Sequence, residues 1–234
     1  FFGFSNQVLV EAAIALAALT PPGLDHFFFS GGGSESVEAA IMFARRYWQN
    51  AGRPSKYKIV SLYDCYHGAT FGARSLTNMG AGSLDMGLVQ KVPGFLHVPN
   101  YYCYRCMLGQ EYPGCDLKCV DFVADVIRHE GPDNVAAFIA EPVMGAEGMV
   151  PPPPGYWKRM REVCDSLDVL LVADEVMTGF CRTGKMFAVE HWGVIPDLMT
   201  MAKGITSAYF PVGALALSDR VFEGMRGRVE EGHT

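Results

Sequence analysis

The sequence lacks an apolar run long enough to cross a membrane as a helix, so no helical span is expected. It lacks a positive excess: 19 Lys and Arg stand against 25 Asp and Glu, a formal net charge of -6, which leaves nucleic acid no electrostatic footprint. It lacks an initiator Met, and Phe1-Phe2-Gly3-Phe4 carries neither the charged segment nor the cleavage site of a secretory signal. No closing element precedes its end at Gly232-His233-Thr234, so the 234 residues read as a fragment of a longer chain. Without a secretory signal, the 7 cysteines read as free thiols in a reducing, cytoplasmic compartment. The glycine loop Gly31-Gly32-Gly33-Ser34 matches neither the dinucleotide fingerprint nor a P-loop, since no Gly-Lys-Ser/Thr follows it.

Paired CxxC motifs are missing too. Four cysteines cluster as Cys103-x2-Cys106-x8-Cys115-x3-Cys119, but the second pair is spaced CxxxC. The spacing departs from that of structural zinc sites. The segment therefore reads as a surface loop of unpaired thiols with no metal, and a zinc-stabilised binding module is the competing reading.

Present in abundance are short apolar runs. Hydrophobic residues make up 50% of the chain, enough for a sizeable core. Phe27–Phe29, Lys58–Leu62, Val135–Ala140, Val169–Ala173, Leu198–Ala202 and Val212–Leu217 read as strands, with one more near Leu88–Val92. Continuous apolar runs of this length suit strands buried on both faces of a mainly parallel sheet. Helical spacing covers residues 5–19, where Val8, Leu9, Ala12, Ala13, Leu16 and Leu19 recur before Pro21-Pro22-Gly23. Further helices are read from Ser34 to about Asn50, from about Asp116 to His129, and from Gly155 onward. Pro151 to Pro154 reads as a stiff connection into the last of these. Few residues separate Lys203 from Val212, too few for a crossover helix, so the final strand should run antiparallel. The fold expected is α/β, a three-layer sandwich whose mainly parallel sheet carries one antiparallel strand.

Five of the runs stop within a few residues of a chemically useful group: the glycine loop with Gly33 and Ser34, then Tyr66-His67, Glu141, Asp174 and Lys203. Ligand crevices of open α/β sheets lie beyond the carboxyl ends of the strands. A glycine loop opening a helix offers backbone donors to a phosphate, although a tight turn capped by Ser34 explains the same residues, with Glu35 or Glu38 favourable in the first turn. An aromatic such as Tyr66 stacks on a flat ring, or simply packs at a sheet edge. Together the five answer the needs of pyridoxal 5'-phosphate: donors for its phosphate, an aromatic for its ring, a carboxylate for its pyridinium nitrogen and a lysine for its aldehyde.

The motifs Gly33-Ser34-Glu35-Ser36-Val37-Glu38-Ala39-Ala40, Tyr66-His67-Gly68, Ala140-Glu141-Pro142-Val143, Val172-Ala173-Asp174-Glu175-Val176-Met177-Thr178-Gly179-Phe180 and Met201-Ala202-Lys203-Gly204 make the chain resemble the class III aminotransferases. The resemblance runs over essentially the whole chain and implies the aspartate-aminotransferase-like fold, with residues 1–234 forming the large cofactor-binding domain. It implies that Lys203 holds the cofactor as a Schiff base and then moves the proton, and that Asp174 keeps the ring nitrogen protonated. Gly33 and Ser34 would bind the phosphate, Tyr66 and Val176 would flank the ring, Glu141 would be the acidic residue of the site, and His67 its neighbour. It further implies a homodimer with a shared site, with one phosphate-binding Thr and the carboxylate-binding Arg beyond Thr234.

Four positions depart from the family's habit: Gly32 for Ser or Thr, Met144 for Gln, and Glu147 and Cys181 for Gly. The Tyr101–Cys119 insert and Tyr47-Trp48 are most similar to the branch that uses ω-amino acids, taurine or simple amines with pyruvate. An aminomutase, racemase or decarboxylating relative of the same fold is the alternative.

Overall fold

The structure, a computed structural model, describes residues 5–79 and 91–226. Helix α1 (Gln7–Ala17) begins where the Asn6 side chain accepts the Leu9 amide, an N-cap, and the chain then enters strand β1 (His26–Ser30). Helix α2 (Gly33–Asn50) starts directly beyond the glycine loop, and strand β2 (Lys58–Leu62) returns. A short helix α3 (Phe71–Leu76) and strand β3 (Phe95–Val98) come next. Helix α4 (Lys118–Glu130), strand β4 (Val135–Ala140), helix α5 (Tyr156–Ser166) and strand β5 (Leu170–Asp174) continue the alternation. Strands β6 (Leu198–Met201) and β7 (Gly213–Leu217) and helix α6 (Asp219–Met225) complete the described chain.

The seven strands form one sheet in the order β1-β7-β6-β5-β4-β2-β3. All neighbours from β6 to β3 pair in parallel, while β7 runs against both β6 and β1. The antiparallel strand is therefore where the short Lys203–Val212 connection placed it. Because β1 and β6 each oppose β7, β1 points the same way as the parallel set, and all the functional strand ends meet at one edge.

Alternation along the strands divides the core between two layers. Leu170, Val172, Leu198, Leu215 and Leu217 face Val37, Ile41, Ala44 and Trp48 of α2. Leu171, Ala173, Met199 and Ala216 face the other way, into a cluster with Val123 and Ile127 of α4 and Trp157 and Met160 of α5. Burying each of the Leu, Val, Ile and Met side chains contributes about 1.5–3 kcal/mol, which is why strands of this composition sit between two helical layers. The Trp48 indole N–H donates to Ala136 O at 2.9 Å and pins α2 across the sheet.

Several sequence expectations shift. The strand read near Leu88–Val92 lies mainly outside the described residues; Lys91 and Val92 are irregular, and the strand present is Phe95–Val98. Phe27–Phe29 form an edge strand, and Phe28 is 41% exposed, because β1 has a neighbour on one side only. In α1 only Leu16 is buried, and Val8 stands 74% exposed. Helix α4 starts later than its apolar pattern suggested, since Asp116 and Leu117 adopt left-handed backbone at φ 46° and 58°. Pro152 and Pro153 are buried, so the proline run is a packed connection. Among the described residues no helix is long and apolar enough to cross a membrane.

Candidate active site

The turn from β1 into α2 builds one end of the site. Gly32, not Ser34, occupies the N-cap position of α2, so Gly33 and Ser34 lie in its first turn, where amides have no partner inside the helix. A Cβ on Gly33 would fall 2.7 Å from Val176 Cγ1, so only glycine lets this turn pass under Val176. Ser34 Oγ accepts the Ala69 amide at 3.1 Å and ties the turn to the Tyr66-His67-Gly68 segment. Gly68, at φ 137°, would place a Cβ 2.5 Å from that same oxygen. Glu35 sits in the first turn of α2, but Glu38 serves α3 instead, accepting the Thr70 hydroxyl at 2.6 Å and the Gly72 amide at 2.7 Å.

Asp174 is buried at the end of β5, and its neighbours fix both oxygens. Oδ2 lies 2.6 Å from His67 Nδ1, while Oδ1 accepts the Thr200 hydroxyl at 2.8 Å and the Val176 amide at 3.2 Å. Burial opposes charge on His67, but the Cys65 sulfur and the Asp174 carboxylate outweigh it and hold the imidazole well above its usual pKa. That contact sets the positive charge of the ring directly beside the Asp174 carboxyl group. The other ring nitrogen, Nε2, is buried without a hydrogen-bond partner among the described residues.

Glu141, at the end of β4, is also buried. Its Oε1 accepts the Tyr66 amide at 2.9 Å and its Oε2 the Gly145 amide at 3.0 Å. Burial raises its pKa, with help from the Asp174 charge and against the His67 cation and the two amides. The side chain thus joins two walls of the site. Behind it, Tyr101 donates its hydroxyl to the Glu141 carbonyl at 2.7 Å. Met144 and Val150 exchange both backbone hydrogen bonds, closing the loop that carries Gly145.

Lys203 follows β6 at φ 48°, a left-handed conformation uncommon for a residue with a side chain, and it is exposed. The next residue must be small: a Cβ on Gly204 would meet Phe180 Cβ at 2.7 Å. Phe180 belongs to the loop after Asp174, and Glu175 anchors that loop from within. Its carboxylate accepts the Thr178 hydroxyl and, at 2.8 Å, the Val189 amide. Burial lifts the Glu175 pKa to about 7, despite those donors.

All eight residues singled out from the sequence, Gly33, Ser34, Tyr66, His67, Glu141, Asp174, Val176 and Lys203, line one open cavity of about 410 Å³. Sequence reasoning missed Thr200, Gly145 and Met149, and gave Gly68 and Met177 no role although both stand in the quoted motifs. Thr200 was visible as the polar break in Leu198-Met199-Thr200-Met201, but its partner was not.

The sequence profile of the family described as aminotransferase class-III matches residues 1–234. A probable aminotransferase of Mycobacterium tuberculosis is 43% identical over 95% of this chain and 47% of its own length. The putrescine–pyruvate aminotransferase of Pseudomonas aeruginosa is 38% identical over 95% and 48%. An (S)-enantioselective omega-transaminase from Thermomicrobium roseum superposes with a TM-score of 0.90 at 42% identity, covering 97% of this chain and 50% of that one. The omega transaminase of Pseudomonas jessenii, solved in complex with PMP, gives 0.90 at 36% identity over 97% and 50%. The chain spans about half the length of the curated relatives it matches. A cavity ringed by these residues, on this sheet and with these relatives, places the chain in the class III aminotransferase family.

Proposed function

We propose that the protein carrying this chain is a pyridoxal-phosphate-dependent aminotransferase that moves an amino group from an ω-amino acid, taurine or simple amine to a keto acid such as pyruvate. The observation that carries this reading is the shared cavity: an amine at Lys203 and a carboxylate at Asp174, each on its own strand end, face one space with a helix N-terminus. Pyridoxal 5'-phosphate supplies, when bound, the electron sink that lets an amino group leave one substrate and join another.

The residues present fit that group. First-turn amides of α2 and Ser34 offer donors for a phosphate. The glycine at 33 leaves room that a side chain would fill. Tyr66 and Val176 supply an aromatic and an aliphatic wall. Asp174, oriented by His67, provides the carboxylate partner that a ring nitrogen needs to stay protonated. Lys203 is the amine that would hold the aldehyde and, once released from it, would serve as the acid–base group that moves the proton within each half-reaction. Glu141 spends both oxygens on backbone amides, so its part is to position Tyr66 and the Gly145 loop.

A large cofactor domain over residues 1–234, a cytoplasmic setting and a homodimer with a shared site belong to the same proposal. The exposed apolar side chains of α1, Val8, Val10 and Ile14, with Tyr209 and Phe210 after Lys203, support a second copy as the partner. The decisive experiment gives the purified full-length protein a labelled amine and pyruvate. Labelled alanine is expected, and its absence overturns the pyruvate-dependent reading. Visible absorbance of the bound cofactor that persists in Lys203→Ala overturns the assignment of the lysine.

A further inference from the structure

The stretch from the end of β3 into the first turn of α4 takes no part in the active-site cavity, yet it gathers four of the 7 cysteines. We propose that Cys103, Cys106, Cys115 and Cys119 form a structural zinc site. The spacing alone argues against this, because the second pair is CxxxC. The fold reverses the balance, since all four cysteines line one small cavity.

Backbone turns bring each pair round. The Arg105 amide donates to Tyr102 O at 3.1 Å across the first pair, and the Lys118 amide donates to Cys115 O at 3.2 Å across the second. The pairs approach without closing: Cys103 feels the charge of Cys106 and Cys115, and Cys119 that of Cys103 and Cys115. The space they enclose is about 20 Å³. A cavity needs roughly 10–15 Å³ to admit one water-sized sphere, so this one has room for a single ion and not for an iron–sulfur cluster. No Asp, Glu or His lines it, and Asn100 and Gln110 add only neutral amide oxygens, so the thiols are the groups a soft cation would select there. Four thiolates in a tetrahedron are the ligand set of closed structural zinc sites.

The four sulfurs stand farther apart than the ligands of a bound ion. Among the described residues, the ligand atoms gathered within 4.8 Å are those of Asp25, His26 and Asp219 on another face. Closing the thiol site takes side-chain rotation, and Cys103 is exposed and the other three only partly buried, so the rotation is open to them. Binding exchanges four S–H protons for one Zn²⁺ and leaves the centre formally a dianion, with Lys118 at its rim as counter-charge. The site would staple a stretch whose start, Tyr101, holds the Glu141 carbonyl.

The test uses the full-length protein, purified without chelators from zinc-supplemented medium. Elemental analysis should find about one zinc per chain, lost at least about tenfold in Cys103→Ser and Cys119→Ser and retained in Cys181→Ser. Cobalt exchanged for zinc should give thiolate-to-metal charge-transfer absorption with the visible bands of a tetrahedral centre. Should the serine variants fold poorly, a mercurial thiol reagent added to the unaltered protein must release zinc as the thiols are blocked. Protein without zinc whose four thiols titrate freely overturns the proposal. So does a mass showing the cysteines paired as disulfides, or thiol blocking that releases no metal.

Discussion

His67 Nδ1 and Asp174 Oδ2 lie 2.6 Å apart, both buried, joining a residue after β2 to the last residue of β5. Asp174 therefore does not stand alone at its strand end. It is one member of a small polar network, with Thr200 on its other oxygen. Inside a low-dielectric interior the bonds of such a network polarise and strengthen one another.

Replacing His67 by Leu leaves one Asp174 oxygen without its charged donor. A hydrogen bond to a charged group is worth about 1.5–3 kcal/mol, so the transamination rate should fall about 10- to 100-fold. His67→Asn, which retains a donor, should recover part of the loss. Steady-state kinetics with the cofactor in excess measures both, and equal rates for wild type and His67→Leu would remove the histidine from the site's function.

Thr200→Val keeps the shape of β6 and removes the donor to Asp174 Oδ1, leaving that oxygen the Val176 amide. The loss is one buried hydrogen bond, about 1–2 kcal/mol in urea unfolding. Because the Val176 amide remains, the activity lost should be smaller than in His67→Leu.

Gly33→Ala drives a methyl to 2.7 Å from Val176 Cγ1. Overpacking of this kind costs about 1–3 kcal/mol, and here it also moves the turn that presents the α2 amides. Half-saturation by pyridoxal 5'-phosphate should rise about tenfold or more. Adding Val176→Ala should return part of the affinity; no recovery in the double variant would place the damage elsewhere.

Glu175 titrates at about 7 in the fold, against 4.5 for the free side chain. Its carboxyl is held protonated by burial, so the folded state binds the proton more tightly than the unfolded one. The associated stability is fully present below about pH 4.5 and is lost as pH rises through about 7, by roughly 3 kcal/mol in all. Glu175→Gln, neutral throughout, should flatten the fall in unfolding free energy between about pH 5 and 8 and be the more stable protein at about pH 8. Parallel curves for the two proteins would contradict this.

The strand ends and the antiparallel β7 were legible as local patterns, an apolar run followed by a polar stop, and so were Glu141, Asp174 and Lys203; Val176 came from the family resemblance alone. What resisted was set by partners distant in sequence. The role of Glu141 depends on amides at Tyr66 and Gly145, and that of Glu38 on α3. The exposure of α1 and β1 depends on which elements have neighbours, which no helical or strand period encodes. Four cysteines with an irregular spacing look incidental in the sequence, and backbone turns put them round one space.

The reversal of β7 has a consequence for engineering. The links between successive strands from β1 to β6 leave the sheet at one edge and re-enter at the other, so a change in their length is felt through the helical layers. The stretch from Lys203 to Gly213 leaves and re-enters at the same edge, beside the amine. It carries Tyr209 and Phe210 into solvent there. Lengthening or trimming it leaves the threading of the sheet unchanged, so of the strand-to-strand links this is the one whose length is free of the helical layers.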